Sequence, residues 1–412
     1  LNTERKYLGP VQWVLLITPF LYNIYFVNKY AVNLPSLDDY GAILNFLNNY
    51  KTSSGWSKFI LLFSQHNEHR ILSSRIIYVL YYSLFHTINF RHIIILGNIQ
   101  LLAAFCIFAL FIKRAIPKFW FPGALFAAVN LFDFSNWENA DFAMAAIQNY
   151  GIILLVSLTI LFYHKTAEKY LYLAALFQFL CVFSSGNGIV AAAIITLFNF
   201  LSATRKKAFI SLGIFLACTT VYFIGYVSPE TGHPAHNIPK ILSYFFTTCS
   251  AIAIIDNATA CIVVGVILIG IFMAAFPIDN RLKIKPGFAP LACLSFFVLA
   301  SMGMMAVFRC NVTGVPANSS RYTIYPHYLY ALIFVFLLHK IKNMKVLIAA
   351  AIIFTTGLVM AYRKNLVWGM DNFKGLQHNL TTNQYFFPDK QTAKAITDKS
   401  CELNIYCIEQ HR

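Results

Sequence analysis

Twelve apolar runs recur along the chain, near 11–30, 72–89, 93–112, 119–133, 148–163, 170–183, 188–203, 208–226, 251–276, 289–308, 323–339 and 345–361. A helix needs about 20 mainly apolar residues to cross a hydrocarbon core about 30 Å thick. The pattern therefore predicts an all-α integral membrane protein. The first run, from Pro10 to Asn28, is too long for a signal-peptide core and no small-residue cleavage site follows it, so it reads as a retained first helix.

Which runs cross is decided by where the charges fall. If all twelve crossed with the N-terminus inside, Lys113, Arg114 and Lys118 would face outward and Asp133, Glu138 and Asp141 inward, against the preference for basic residues on the cytoplasmic side. The weakest run is 72–89, which carries Ser73, Ser74, Arg75 and His86 and follows the polar stretch Gln65 to Arg70. It is expected to lie at the interface or to re-enter rather than cross. Every basic connector then falls on one side: Lys113, Arg114 and Lys118; Lys165 and Lys169; Arg205, Lys206 and Lys207; Arg281, Lys283 and Lys285; Lys340, Lys342 and Lys345. The expected architecture is a bundle of about eleven transmembrane helices with a cytoplasmic N-terminus. Residues 1–361 form one polytopic membrane domain, its first outer loop, 31–92, carries interfacial helices, and 362–412 form an outer C-terminal tail.

Composition supports this and removes other classes. Of 412 residues, 58% are hydrophobic and 12% charged, which excludes a water-soluble enzyme. Lys and Arg exceed Asp and Glu by 32 to 16, giving +16. The connectors account for most of that excess through topology and contact with anionic headgroups, so the lipid bilayer is the expected partner. No nucleic-acid partner is expected, because no basic segment stands apart from the apolar runs. Of nine cysteines, Cys106, Cys181, Cys218, Cys261 and Cys293 lie inside apolar runs as small hydrophobes. Cys401 and Cys407 lie in the polar tail and could pair in an oxidising compartment. No internal repeat of the kind found in secondary transporters is evident.

With orientation set, the unusual polar residues gather on the outer face. Asp38 and Asp39 follow the first span and precede Ala42, Ile43, Phe46 and Leu47 at the spacing of a short interfacial helix. Ser36 and Asp39 fit a capping box, which explains one carboxylate but not the pair. The functional alternative makes one a general base aimed at an acceptor hydroxyl, with its neighbour tuning it or helping to hold a metal. Next, Gln65-His66-Asn67-Glu68-His69-Arg70 with Arg75 is the densest polar stretch. Its histidines lack a clear third metal ligand, so an anion site is the simpler reading, with Arg70, Arg75 and His69 facing a phosphate. The alternative is a solvated loop that anchors the interfacial helix.

Asp133, Asn136, Trp137, Glu138, Asn139 and Asp141, ending in Gln148-Asn149-Tyr150, combine carboxylates, amides and aromatic rings. That set recognises a sugar by hydroxyl hydrogen bonds and stacking, although Trp137 and Tyr150 also suit an ordinary interface belt. Arg309 and Arg321 bound a further loop, with Tyr322, Tyr325, His327 and Tyr328 after it. Arginines on the outer face run against the charge bias, and a phosphate or pyrophosphate would explain them. Ser184 to Gly188 reads as a tight turn, and His233 and His236 as part of a Pro/Gly loop.

The Asp38-Asp39, Asn67 to Arg70, Trp137 to Asn139 and Ser320 to Tyr322 stretches resemble the polytopic GT-C class of glycosyltransferases. Within it they are most similar to phage and bacterial serotype-converting O-antigen glucosyltransferases. The resemblance implies a GT-C-like bundle in the bacterial inner membrane, with active site and tail periplasmic. It implies an undecaprenyl-phosphate-linked sugar, glucose as the best guess, as donor and a polysaccharide such as O-antigen as acceptor. Transfer would be an inverting displacement, with Asp38 or Asp39 as base. Arg70, Arg75, His69, Arg309 and Arg321 would meet the donor phosphate, and Glu68, Trp137, Glu138, Asn139 and Tyr322 the acceptor or sugar. The His-Pro-Pro run of protein mannosyltransferase relatives is absent, which leaves open a divalent cation, Mg or Mn, and assigns no metal ligand. Competing readings are a flippase or transporter of a lipid-linked sugar, for which Asp256 is the main mid-span charge, and an O-antigen polymerase or O-acyltransferase.

Overall fold

The computed structural model describes residues 9–202, 204–228, 233–252, 257–279, 283–285, 287–312, 316–382 and 387–408. In chain order the helices are α1 (Pro10–Tyr30), a π-helical turn Tyr40–Asn45, α2 (Phe46–Thr52) and α3 (Trp56–Phe63). A hairpin of β1 (Gln65–His66) and β2 (His69–Arg70) leads into α4 (Leu72–Phe85), α5 (Phe90–Ala115) and α6 (Trp120–Leu131). Then come α7 (Trp137–Asp141), and α8 (Ala143–Ala145) running through a π turn into α9 (Gly151–Tyr163). These are followed by α10 (Lys169–Val182), α11 (Gly186–Ser202), α12 (Arg205–Phe223), α13 (Ile238–Cys249), α14 (Ala258–Ala275), α15 (Ala289–Arg309), α16 (Ile324–Lys340), α17 (Met344–Thr381) and α18 (Lys390–Glu402).

The chain is an all-α membrane protein. Seven helices are long and apolar enough to cross a bilayer: Pro10–Tyr30, Phe90–Ala115, Ala143–Tyr163, Arg205–Phe223, Ala258–Ala275, Ala289–Arg309 and Met344–Thr381. Four further apolar runs form α6, α10, α11 and α16, of 12, 14, 17 and 17 residues. At 1.5 Å per residue these measure roughly 18–26 Å, short of a full hydrocarbon core. The run at 72–89 forms the 14-residue α4.

Local chemistry sets the helix ends. The side chains of Asn89, Asn257, Asn343 and Asp389 accept from backbone N–H groups in the first turns of α5, α14, α17 and α18, satisfying donors that a helix leaves unpaired. Beyond the loop that carries His233 and His236 the chain forms α13, started by Pro239 and capped by Asn237. Within the 251–276 run α14 begins at Ala258, where Asn257 caps it. The expected boundary at 361 falls inside α17, which at 38 residues extends about 57 Å.

The connectors sort the two ends of the bundle. At one end Lys207 Nζ donates to the carbonyls of Tyr163 and Lys165, both at 2.7 Å, and Lys206 pairs with Glu168. Lys285 Nζ lies 3.1 Å from His339 Nε2, and Gly287 packs on the Arg114 carbonyl. The charges of both Lys207 and Arg114 bear on His164, which joins these groups into one basic end. Arg281 lies outside the described residues.

At the other end the tail folds over the first loop. Asn48 Nδ2 donates to the Ile396 carbonyl at 3.1 Å, Ser400 Oγ donates to Asn48 Oδ1, and Lys51 Nζ donates to the Leu403 carbonyl. Cys401 and Cys407 form a disulfide, closing a loop whose Ile405 and Tyr406 are buried. Ile405 accepts from the Ile88 N–H, and Tyr406 Oη donates to the Asn33 carbonyl. Beyond the membrane core, α17 packs Phe373 on Tyr30 and Gly369 against the Phe134 carbonyl, so close that a Cβ at Gly369 would lie 2.4 Å from it.

Candidate functional site

The polar cluster sits at the end of the bundle opposite the basic connectors. Its central group is Asp38. Leu37 adopts φ 46°, a left-handed conformation that costs a leucine about 1 kcal/mol, and so turns the chain sharply just before the carboxylate. Asp38 is partly exposed, and its Oδ1 accepts from Asn67 Nδ2 at 3.4 Å. Asp39 is buried and anchored: Oδ2 accepts from the Ser36 N–H at 3.0 Å and Oδ1 from the Met144 N–H at 2.8 Å. It ties the first loop to the start of α8. Burial raises the Asp39 carboxyl well above the usual range, against the pull of those two N–H bonds.

The β1–β2 hairpin places two histidines beside Asp38. Asn67, with φ 48°, supplies the tight two-residue turn, and pairing of His66 with His69 puts both rings on one face. Burial pushes both imidazoles down to about 4, with Asp38 pulling the other way, so both are neutral near pH 7. The His69 tautomer is fixed by its partners. Gly186 N–H donates to Nδ1 at 3.1 Å, leaving Nε2 to carry the proton toward Glu68 Oε1 at 3.6 Å. The same Glu68 oxygen pairs with Arg309. A Cβ at Gly186 would lie 3.1 Å from His69 Nδ1, so the glycine admits the ring. The Ser184 to Gly188 turn, expected only as a tight turn, is thus part of the cluster. His66 packs on Gly41, and its Nε2 is buried without a partner.

Across from the hairpin stands the α7 platform. Glu138 accepts from Arg321 Nη2 at 3.1 Å, the Arg321 N–H at 3.1 Å, Ser319 Oγ at 3.4 Å and Ser320 Oγ. The guanidinium lies 6.0 Å from the Phe142 ring and within the field of Asp38, and the nearby carboxylates raise it despite burial. Asn139 donates to the Arg321 carbonyl at 2.9 Å and accepts from Asn149 at 2.7 Å. Trp137 packs edge-on against Trp368, with its indole N–H buried and unpartnered. Tyr322 lies half-buried against the main core beside Arg321.

Two expected phosphate ligands are engaged elsewhere. Arg70 donates to the carbonyls of Phe63 at 2.5 Å, Tyr222 at 2.6 Å and Ile224 at 2.5 Å. Arg75 donates to the carbonyls of Leu61 at 2.7 Å and Ser64 at 2.5 Å, and stacks on Phe46 at 4.8 Å. Both satisfy carbonyls that the ends of α3 and α12 leave unpaired. The expectation that they meet a donor phosphate is corrected: they hold the hairpin to those helices. Glu68 pairs with Arg309 and Glu138 with Arg321, while Arg70 and Arg75 are engaged by backbone carbonyls, which leaves Asp38 without a cation partner in any described contact. The site is a carboxylate framed by hydrogen-bonding groups, with each arginine already half-compensated by a glutamate. Among the described residues no three His, Cys, Asp or Glu side chains converge as a metal site. His233 and His236 are exposed or loop-borne and do not join the cluster in any described contact.

A scan of the sequence against protein-family models finds no match, and a search of curated proteins finds no relative.

Proposed function

We propose that the chain is a multi-pass, polyprenyl-phosphate-sugar-dependent glycosyltransferase with a GT-C-like bundle of eleven passes, the seven long helices plus α6, α10, α11 and α16. It moves a hexose, with glucose the first choice, from undecaprenyl phosphate to a surface polysaccharide such as O-antigen. The clustering of the basic connectors supports a cytoplasmic placement of that end and a periplasmic placement of the polar cluster and tail. The tail disulfide agrees with an oxidising compartment.

The observation that carries the reading is Asp38: a partly exposed carboxylate between two neutral imidazoles, facing Arg321 at the membrane rim. In the proposed chemistry Asp38 takes the proton of the acceptor hydroxyl as that oxygen attacks the anomeric carbon. The lipid phosphate leaves with the bonding electrons and needs no proton. Arg309 and Arg321 meet its charge with the N–H groups that Glu68 and Glu138 leave over. Trp137 and Tyr322, both partly exposed, are the proposed sugar contacts, while Asn139 is buried and holds the platform through Arg321 and Asn149.

The test is hexose transfer by purified protein from undecaprenyl-phosphate glucose to lipopolysaccharide or a short O-antigen acceptor, with and without a chelator. One added hexose per acceptor supports the reading, and loss in chelator would assign a divalent cation to the site. No transfer from any lipid-linked hexose would overturn it. An O-acyltransferase has one observation on its side: Ser135 Oγ lies 2.6 Å from His327 Nε2, and His327 Nδ1 lies 2.8 Å from Asn130 Oδ1. All three are buried, at 1%, 1% and 0% exposure, which closes them to an acyl donor. For the flippase reading, Asp256 lies outside the described residues.

A further inference from the structure

Among the described residues no lysine or arginine makes a hydrogen bond or ion pair with Asp133. It follows α6, is 1% exposed, and is packed among α6, α16 and α17. Oδ1 accepts from the Ser135 N–H and from Asn365 Nδ2, both at 2.8 Å, while Oδ2 is buried without a partner. Asn365 shows the mirror pattern. Its Nδ2 faces two acceptors, Asp133 Oδ1 and the Ile252 carbonyl at 2.9 Å, which fixes the amide orientation and leaves Oδ1 buried and unpaired.

His327 does not supply the missing donor. Asn130 Nδ2 donates to the His327 carbonyl, so Asn130 Oδ1 faces Nδ1 and the imidazole proton sits there. Nε2 then accepts from Ser135 Oγ at 2.6 Å and presents a lone pair toward Asp133 Oδ1 at 3.5 Å. The other titratable groups facing Asp133 are the phenols of Tyr362 on α17 and, beyond it, Tyr22 on α1. Neither is a cation.

We infer that Asp133 is held as a neutral carboxylic acid, its Oδ2 proton donated to Asn365 Oδ1, and that this acid–amide pair is the positioning latch of the α7 platform. One proton satisfies both orphaned oxygens and closes a two-bond ring, Asn365 Nδ2–H to Asp133 Oδ1 and Asp133 Oδ2–H to Asn365 Oδ1. An unpaired buried acceptor is costly, and a buried unpaired charge more so. Burial also raises the Asp133 carboxyl to about 7, in the same direction.

The latch reaches the candidate site through the backbone. Asp133 caps the turn Phe134–Asn136 that feeds α7 and Glu138. Thr323 Oγ1 joins that turn to the next loop, lying 2.7 Å from Asn136 Oδ1, 3.2 Å from the Ser135 carbonyl and 2.8 Å from the Ser320 carbonyl. The elements that bring Glu138 to Arg321 are therefore both seated on the Asp133 node. Asp133 acts through them and meets no substrate.

Infrared difference spectra of the full-length protein in lipid nanodiscs, native minus Asp133→Asn, near pH 6, read the proton directly. A protonated-carboxyl C=O band that shifts in deuterium oxide is expected in the native protein and not in the variant. Ionised carboxylate bands alone would overturn the inference. The positioning half rests on the transferase reading. Asp133→Asn keeps the shape and the donor toward Asn365, so transfer should stay within about twofold, whereas Asp133→Ala and Asn365→Leu should lose about tenfold or more in kcat with little change in KM. A folded Asp133→Asn as inactive as Asp133→Ala would overturn the positioning role. If the native protein itself transfers no hexose, the function fails, and the spectra still decide the proton.

Discussion

Asp38 and Asp39 are adjacent, yet their neutral amides should fail in opposite ways. Asp39→Asn keeps one oxygen and puts an NH2 against either the Ser36 or the Met144 N–H, so one charge-assisted bond is lost and one buried N–H is stranded. Bonds to a charged acceptor contribute about 1.5–3 kcal/mol and an orphaned buried group costs about 1–3 kcal/mol. Neutralising a buried carboxylate recovers part of its desolvation cost, which leaves about 2–4 kcal/mol. At roughly 2.1 cal/mol/K per residue, a chain of 412 residues converts this to a Tm fall of about 2–5 °C. Asp38→Asn removes one contact at 3.4 Å and should leave Tm unchanged. As the proposed general base, however, its loss should lower kcat by about 10²- to 10⁴-fold. Differential scanning fluorimetry and transfer kinetics on both variants separate the two. An active Asp38→Asn, or an Asp39→Asn that is inactive with native Tm, would refute the assignment of base and anchor.

Arg70→Lys offers one ammonium in place of a fork that reaches three carbonyls on two elements, and should destabilise by about 3 kcal/mol or more; proteolysis within 53–55 at temperatures below global melting would report it. Gly265→Ala would set a Cβ 2.0 Å from the Phe246 carbonyl and should cost about 1–3 kcal/mol by overpacking, whereas Gly270→Ala meets nothing within 4 Å and should be neutral or stabilising by up to about 1 kcal/mol. Thermal melts of the pair check both signs. The pH dependence of stability carries two opposed contributions. His66 and His69 titrate near 4 when folded and near 6.5 when unfolded, so the unfolded chain binds more protons between those values and stability rises with pH. Asp133 titrates near 3.8 unfolded and about 7 folded, so there the folded chain binds more protons and stability falls as pH rises through that window. Asp39, raised in the same way, adds to that fall, so Asp133→Asn should remove only the share of Asp133, and denaturant titrations at pH 4.5 and 6.5 measure the change in slope.

Much of the architecture was readable because a membrane makes charge placement informative. The basic connectors were paired in sequence by their sign alone, and the structure gathers them at one end. Helix α13 escaped notice because Ser243, Thr247 and Thr248 dilute its apolar residues, and a helix packed between α14 and α15 tolerates such hydroxyls. The same limit governs the site. Arg70 and Arg309 look alike in sequence; one faces three backbone carbonyls and the other a glutamate, a distinction made only by where the end of α12 comes to rest. The sequence suggests an anion site for this stretch and gives His66 no part in it, whereas burial makes both histidines neutral hydrogen-bonding groups. A hairpin of six residues with Asn at its turn was the available signal.

The docking of Ile405 and Tyr406 onto Ile88 and Asn33 joins segments far apart in the chain, 373 positions for the Tyr406–Asn33 bond. Synthesis proceeds from the N-terminal side, so the loop that carries Asp38 leaves the ribosome long before its cover exists. During that interval the carboxylate has its hairpin but lacks the α18 buttress behind it. Completion of the end that carries the polar cluster therefore comes late in synthesis, and a chain interrupted before α18 should lack the cover over its first loop.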